Sequence, residues 1–182
     1  MSRISVVTPE TANAEQSQLL GAIQSKLGMV PNFLGVFAHS PQALQAFLGL
    51  HAIAGDGQLD AQTRERIALA VAQGNSCEYC LSAHSAIGRK AGLNSAEMVE
   101  NRKGSSHDAK AAAAVAFAKA LNENMGDLTQ AEFNGVREAG YSDGEIVEII
   151  THVGMNILTN LLGKVTHVDI DFPKVSLTDQ VA

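Results

Sequence analysis

The stretch DGEIVEIITHVGMNILTNLL, Asp143–Leu162, decides the fold. Within it Ile146, Ile149, Ile150, Val153, Ile157 and Leu161 recur at i, i+3, i+4 and i+7. That period predicts a long helix with one broad buried face. Ser142 before it and Glu145 three residues later have the spacing of a capping box, which satisfies two orphan N–H groups at a helix start. Moving outward, Thr129 with Glu132 and Asn94 with Glu97 repeat that spacing. Asp108 to Asn124 spans the alanine-rich run and is closed by Met125-Gly126. Cys77 to Ala91 has Gly92 just past its end, a usual C-terminal stop.

Earlier in the chain, Asp60 can cap a helix to about Gly74, and Ser40 with Pro41 starts one that runs to about Ala54. A further helix is expected over about Asn13 to Leu27, followed by a turn at Gly28–Asn32 and a short helix. Pro9, Pro31, Pro41 and Pro173 lie at the two ends, so no proline interrupts a helix between Gln42 and Phe172.

Composition agrees. The 182 residues include 27 alanines, 4 prolines, no Trp and 2 Tyr, which favours helices over sheets. The expected class is all-α: a compact multi-helix bundle over residues 1–182, as one domain. It carries an N-terminal helical extension at about 1–40 and an extended tail at about 168–182, which packs on a neighbouring subunit or hangs loose. A faint echo between Leu59–Ala72 and Tyr141–Gly154 suggests two similar helical units.

Charge excludes one partner class. Thirteen Lys+Arg against nineteen Asp+Glu give a net charge of −6, with no basic cluster longer than Arg102-Lys103. Nucleic-acid binding needs a basic face. The longest unbroken apolar run, Ala111 to Ala118, is short of a membrane span, and no secretory segment opens the chain. A cytoplasmic protein is expected, with no membrane partner. In a reducing compartment, two cysteines three residues apart point to catalysis or metal binding rather than to a structural staple.

The richest chemistry lies in Ser76-Cys77-Glu78-Tyr79-Cys80-Leu81-Ser82-Ala83-His84. On a helix, Cys77, Cys80 and His84 fall within an arc of about 60°. Placed in a first turn, the thiols meet unpaired N–H groups and the positive dipole end, which favour an anion. An ordinary thiol with a pKa near 8.5 is only about 3% ionised at neutral pH, so such help matters. Glu65, on the preceding helix, shares a face with Ala68, Leu69 and Ala72; there it could fix the tautomer of His84 and raise its basicity.

Blander readings exist. The cysteines could be inert core residues, and Glu65 could belong to a solvated face with Arg64 and Arg66. A zinc site would need a second ligand pair, which the sequence lacks. His152, beside the apolar stripe, reads as a structural core histidine or as support near the thiols, and Tyr141 and Met155 read as core.

Glu65, eleven residues, then Cys77-x-x-Cys80-x-x-x-His84 resembles the active-site signature of the alkylhydroperoxidase D family, within the all-helical carboxymuconolactone decarboxylase-like superfamily. Met29–Phe33 followed by Ser40-Pro41, and Thr151–Asn156, are similar to its peroxidase-related subgroup. The resemblance implies a thiol-dependent peroxidase that reduces hydroperoxides. Cys80 would be the peroxidatic thiol and Cys77 the resolving thiol. His84 would accept a proton and Glu65 would complete the relay through a water. It further implies no cofactor or metal, a dithiol or protein reductant (a lipoylated partner among the candidates), and a homo-oligomer, trimer or hexamer. Tyr79 stands where the best-studied type has histidine. Three alternatives stay open: a thiol–disulfide oxidoreductase or sensor, a decarboxylase or lactone-handling enzyme, and a non-enzymatic helical assembly protein.

Overall fold

A computed structural model describes residues 2–178. Among these residues the chain forms nine helices and no strand: α1 Ala14–Leu27, α2 Asn32–Phe37, α3 Pro41–Gly55, α4 Ala61–Gly74, α5 Glu78–Lys90, α6 Ser95–Lys103, α7 Ala109–Glu123, α8 Gln130–Glu138 and α9 Asp143–Thr166. The expected all-α class is what the structure has.

Helix starts follow the side chains that precede them. Asn13, Ser40, Asp60, Asn94, Asp108, Thr129 and Ser142 each accept the third N–H of their helix. Such caps stabilise a helix by about 1 kcal/mol each. The boxes at Thr129 and Ser142 are complete. At Asn94 only half a box forms. The Glu97 carboxylate instead reaches Arg66, Asn101 and Ser106 and the N–H of His107.

Helix α4 is the centre of the molecule. Its residues Ile67, Ala68, Leu69, Ala70, Val71 and Ala72 are all buried, and it packs against α5, α6, α7 and α9. A helix surrounded on every side must be apolar all round, and alanine on several faces lets its neighbours approach closely. Burial of Ile67, Leu69 and Val71 contributes roughly 1.5–3 kcal/mol each. Leu69 and Ala72 join one core cluster with Phe33, Phe37 and Leu44, whereas Ile67 and Val71 join a second with Phe117, Val136 and Ile149.

Three expectations are corrected. Ile150 and Leu161 of the expected buried stripe are exposed. Helix α9 runs to Thr166, four residues beyond Leu162, passing through Gly163. Glycine weakens a helix, yet here the helix needs a position without a side chain, for a reason given below. The third correction concerns the tail. Residues 168–178 lie against their own chain: the Asn32 N–H donates to Asp171, the Val175 N–H donates to Ser82 Oγ, and Gln73 and Arg102 donate to the Leu177 carbonyl. Residues 179–182 of the expected tail fall outside the described residues.

One helix, Asp143–Thr166, is long and apolar enough to cross a membrane by length and composition; half of its most apolar window is buried in the protein itself.

Candidate active site

The site begins where α4 ends. The Ser76 N–H donates to the Gln73 carbonyl and the Cys77 N–H to the Ala72 carbonyl, with Ser76 in the left-handed region at φ 54°. This pair of bonds is a Schellman stop. It turns the chain within one residue and delivers Cys77 as the cap of α5, with extended backbone. Cys77 thus stands just outside the helix rather than in its first turn. Its Sγ accepts the Cys80 N–H at 3.3 Å, replacing the oxygen of a usual cap. The helix start therefore favours an anion on Cys77.

Cys77 and Cys80 are free thiols, only 2% and 3% exposed. They form a coupled pair. The Cys80 thiol donates to Cys77, which lowers the pKa of Cys77 against the cost of burial; the Cys80 N–H and the charges of His84 and Lys164 act in the same direction. That same donation raises the pKa of Cys80, as do its burial and the charge on Cys77. Of the pair, Cys77 is the thiol that gives up its proton more readily, and Cys80 the one that holds it.

His84, one turn after Cys80, meets Glu65 of α4, with Nδ1 2.8 Å from Oε2. Their side chains are 21% and 15% exposed, more open than either sulfur. Burial works against a charged ring, but the Glu65 carboxylate outweighs it and holds the His84 pKa above its usual value. His84 makes no hydrogen bond to a sulfur among the described residues. Its charge acts on Cys77 through space. The structure therefore joins Glu65 to His84 and Cys77 to Cys80, and links the two pairs electrostatically.

Helix α9 closes the other side. A Cβ on Gly163 would lie 3.1 Å from Cys77 Sγ and 3.7 Å from Cys80 Sγ. A side chain there would press on Cys77 Sγ and touch Cys80 Sγ, which is why α9 carries glycine where it passes them. One turn back, Asn160 is 1% exposed and its Oδ1 accepts from Asn75 Nδ2. Lys164 Nζ donates to the Asn75 carbonyl. Sequence reading missed these groups. The available signal was polar Asn156 and Asn160, one turn apart inside an apolar helix.

Tyr79 reaches toward the tail and α2. Its hydroxyl donates to Asp171 of the tail and accepts the Phe33 N–H, and its ring stacks on Phe33. His152 is buried, with the Ala54 carbonyl, Arg64, Glu148 and His51 as its electrostatic surroundings rather than the sulfurs. His51, on α3, was also missed: it is exposed, yet partial desolvation of its ring and the charge of His84 lower its pKa. It is 33 residues from His84 in sequence, and no local pattern connects them.

The model of the carboxymuconolactone decarboxylase family matches residues 41–123, which contain Glu65, Cys77, Cys80 and His84. The alkylhydroperoxidase AhpD core structure of an uncharacterized peroxidase-related protein from Ralstonia eutropha superposes with a TM-score of 0.83 and 25% identity, over 93% of this chain and 92% of that one. Residues 41–123 are a carboxymuconolactone decarboxylase family segment, within a chain of AhpD-like fold. An uncharacterized protein of Haemophilus influenzae is 58% identical over 45 residues, 24% of this chain and 40% of that relative. A variant of the debrominase Bmp8, solved with 2,3,4-tribromopyrrole, shares the fold at a TM-score of 0.78 and 19% identity, over 92% of this chain and 91% of that one. Structures that share this fold thus include peroxidase-related proteins and a debrominase.

Proposed function

We propose that this chain is a thiol-dependent peroxidase that reduces organic hydroperoxides through a Cys77–Cys80 disulfide cycle. The observation that carries this reading is the thiol pair at the start of α5, with the Glu65–His84 ion pair beside it. The family match over residues 41–123 supports it. So does the burial of both sulfurs, which suits a small oxidant better than a bulky disulfide.

The cycle starts with Cys77 as thiolate, Cys80 as thiol and His84 protonated. The Cys80 proton passes to Cys77. The Cys80 thiolate attacks the distal oxygen of R–O–O–H, and the O–O bond breaks. Sulfur is oxidised to a sulfenic acid, Cys80–S–OH, and the peroxide is reduced to an alkoxide. His84 gives its proton to the alkoxide, releasing R–OH. The Cys77 thiol then condenses with the sulfenic acid, forming the S–S bond and releasing water. A dithiol, small or carried by a protein, reopens the disulfide by exchange and is itself oxidised.

The test is a mass measurement. One equivalent of cumene hydroperoxide should lower the mass of the reduced chain by two hydrogens, with peptide mapping placing the disulfide at Cys77–Cys80. Slow, nonsaturating oxidation combined with fast exchange against a disulfide would favour the oxidoreductase reading instead.

The same proposal includes self-association. On α9, Val147, Ile150, Leu158, Leu161 and Val165 are exposed and, with Gly154, follow a 3-4-4-3-4 spacing. Such a seam is suited to packing against another helix. The proposed occupant is a second copy of the chain, which would cover this apolar stripe beside the site.

A further inference from the structure

We infer that the side-chain amide of Asn160 is a hydrogen-bond donor held in reserve for the Cys80 sulfur, used when that sulfur becomes anionic. The inference rests on the peroxidase reading only for its purpose. Its evidence is the geometry of three buried amides.

Asn75 and Asn122 form a reciprocal pair: Asn75 Nδ2 donates to Asn122 Oδ1 at 2.9 Å, and Asn122 Nδ2 donates back to Asn75 Oδ1 at 3.0 Å. This pairing fixes which end of Asn75 is oxygen and which is nitrogen. The nitrogen also donates to Asn160 Oδ1 at 3.0 Å. Turning Asn160 over would set two NH2 groups against each other. Its Oδ1 is therefore committed to Asn75, and its Nδ2 points the other way. That nitrogen is buried and has no hydrogen-bond partner among the described residues.

What lies on that side is the thiol pair. A Cβ on Gly163, one turn along the same helix α9, would be in contact range of both sulfurs. The proximity of the Asn160 amide also favours ionised Cys80, whereas the partner thiol, burial and the charge on Cys77 oppose ionisation.

A neutral thiol is a weak acceptor, and a thiolate is a strong one. The amide is thus idle in the resting dithiol and gains a bond when the proton leaves Cys80. An interaction absent from the ground state and present in the reactive state is the kind that raises a rate. It also answers a difficulty in the cycle: the surroundings ease ionisation of Cys77 and oppose that of Cys80, so something must help Cys80 carry a charge. Asn122 and Asn75 are positioning residues in this scheme, since they act through Asn160.

The test isolates one thiol. In a full-length Cys77→Ser background, which keeps an oxygen cap on α5, the pH profile of iodoacetamide alkylation reports Cys80 alone. Adding Asn160→Asp, an isostere that keeps an acceptor for Asn75 and removes the donor, should move the Cys80 midpoint up by about one pH unit or more. That is roughly tenfold slower alkylation at pH 7. If Asn160→Asp does not fold, Asn160→Ser and Asn75→Ala are read in the same way and should shift the midpoint in the same direction. A lower thermal midpoint with an unchanged Cys80 profile in the folded variants would reduce Asn160 to a structural amide and overturn the inference. Because the assay uses no peroxide, it separates the two claims: a wild-type chain that consumes no peroxide sinks the peroxidase reading, and an Asn160-insensitive Cys80 sinks this one.

Discussion

Nδ1 of His84 lies 2.8 Å from Oε2 of Glu65, joining α5 to α4 beside two buried sulfurs. The contact raises the pKa of a ring whose burial alone would lower it. Folding therefore binds the His84 proton more tightly than the unfolded chain, whose His pKa is near 6.5. The resulting stability is complete below about pH 6.5 and disappears as pH rises through the folded value. Glu65→Gln removes the carboxylate and leaves the burial. Its ring titration, followed by NMR, should drop below that of the wild type, and the wild-type stability advantage in urea should shrink as pH rises from 6 to 8. A His84 midpoint that ignores the substitution would refute the assignment of the shift to Glu65.

The two thiols should separate cleanly by substitution. Cys77→Ser should stall after the first step, leaving a sulfenic acid on Cys80 that dimedone labels. Cys80→Ser should consume no peroxide. His84→Gln should slow the first step by about a hundredfold or more, as expected for losing a positioned proton donor. Turnover by Cys80→Ser, with dimedone on Cys77, would reverse the roles proposed for the pair.

Much of this arrangement was legible because helix starts are written locally. Asp60 and Ser142 announce α4 and α9 through an oxygen three residues from an N–H. Cys77 does not, because cysteine is an unusual cap, and only the Schellman stop before it places its sulfur outside α5. The expected end of α9 at Leu162 falls just short of Gly163, whose requirement, room for sulfurs 83 and 86 residues away, is tertiary. The tail was illegible for the same reason. Its anchor, the Tyr79 hydroxyl donating to Asp171, spans 92 residues.

Glu97 shows how a local reading can be half right and still lead to a sharp prediction. Its N–H takes the Asn94 cap, but its carboxylate leaves the box for Arg66 and three other donors. Burial would raise its pKa; those partners, Ser106 first, pull it down to about 2. The stability this confers is present above the unfolded value near 4.3 and is lost as pH falls through about 2. Glu97→Gln should cost on the order of 2–3 kcal/mol at pH 7 and flatten the acid limb of the stability profile. Chemical denaturation between pH 2.5 and 7 measures both.

The exposed seam on α9 makes a concentration-dependent prediction. Leu161→Glu, at a 58% exposed position, leaves the monomer's core untouched. Light scattering should give a multiple of 19.1 kDa for the wild type and a smaller species for the variant. A monomeric wild type at micromolar concentration would dismiss the proposed self-association.

Gly163→Ala sets two effects against each other. Alanine favours the helix over glycine by about 1 kcal/mol. Its Cβ would stand 3.1 Å from Cys77 Sγ, tighter than ordinary contact, and overpacking of this kind costs about 1–3 kcal/mol. Packing should win or nearly cancel, so the net change in stability should lie between about zero and 2 kcal/mol of loss. The effect on chemistry should be larger than the effect on stability. To make room, Cys77 Sγ must move by a few tenths of an ångström, and its bond to the Cys80 N–H, already 3.3 Å, is the contact most exposed to that movement. The Cys77 alkylation midpoint should therefore rise while the fold persists. Unchanged alkylation with a stabilised fold would mean that α9 has slack at this point and that the glycine has no role toward the thiols.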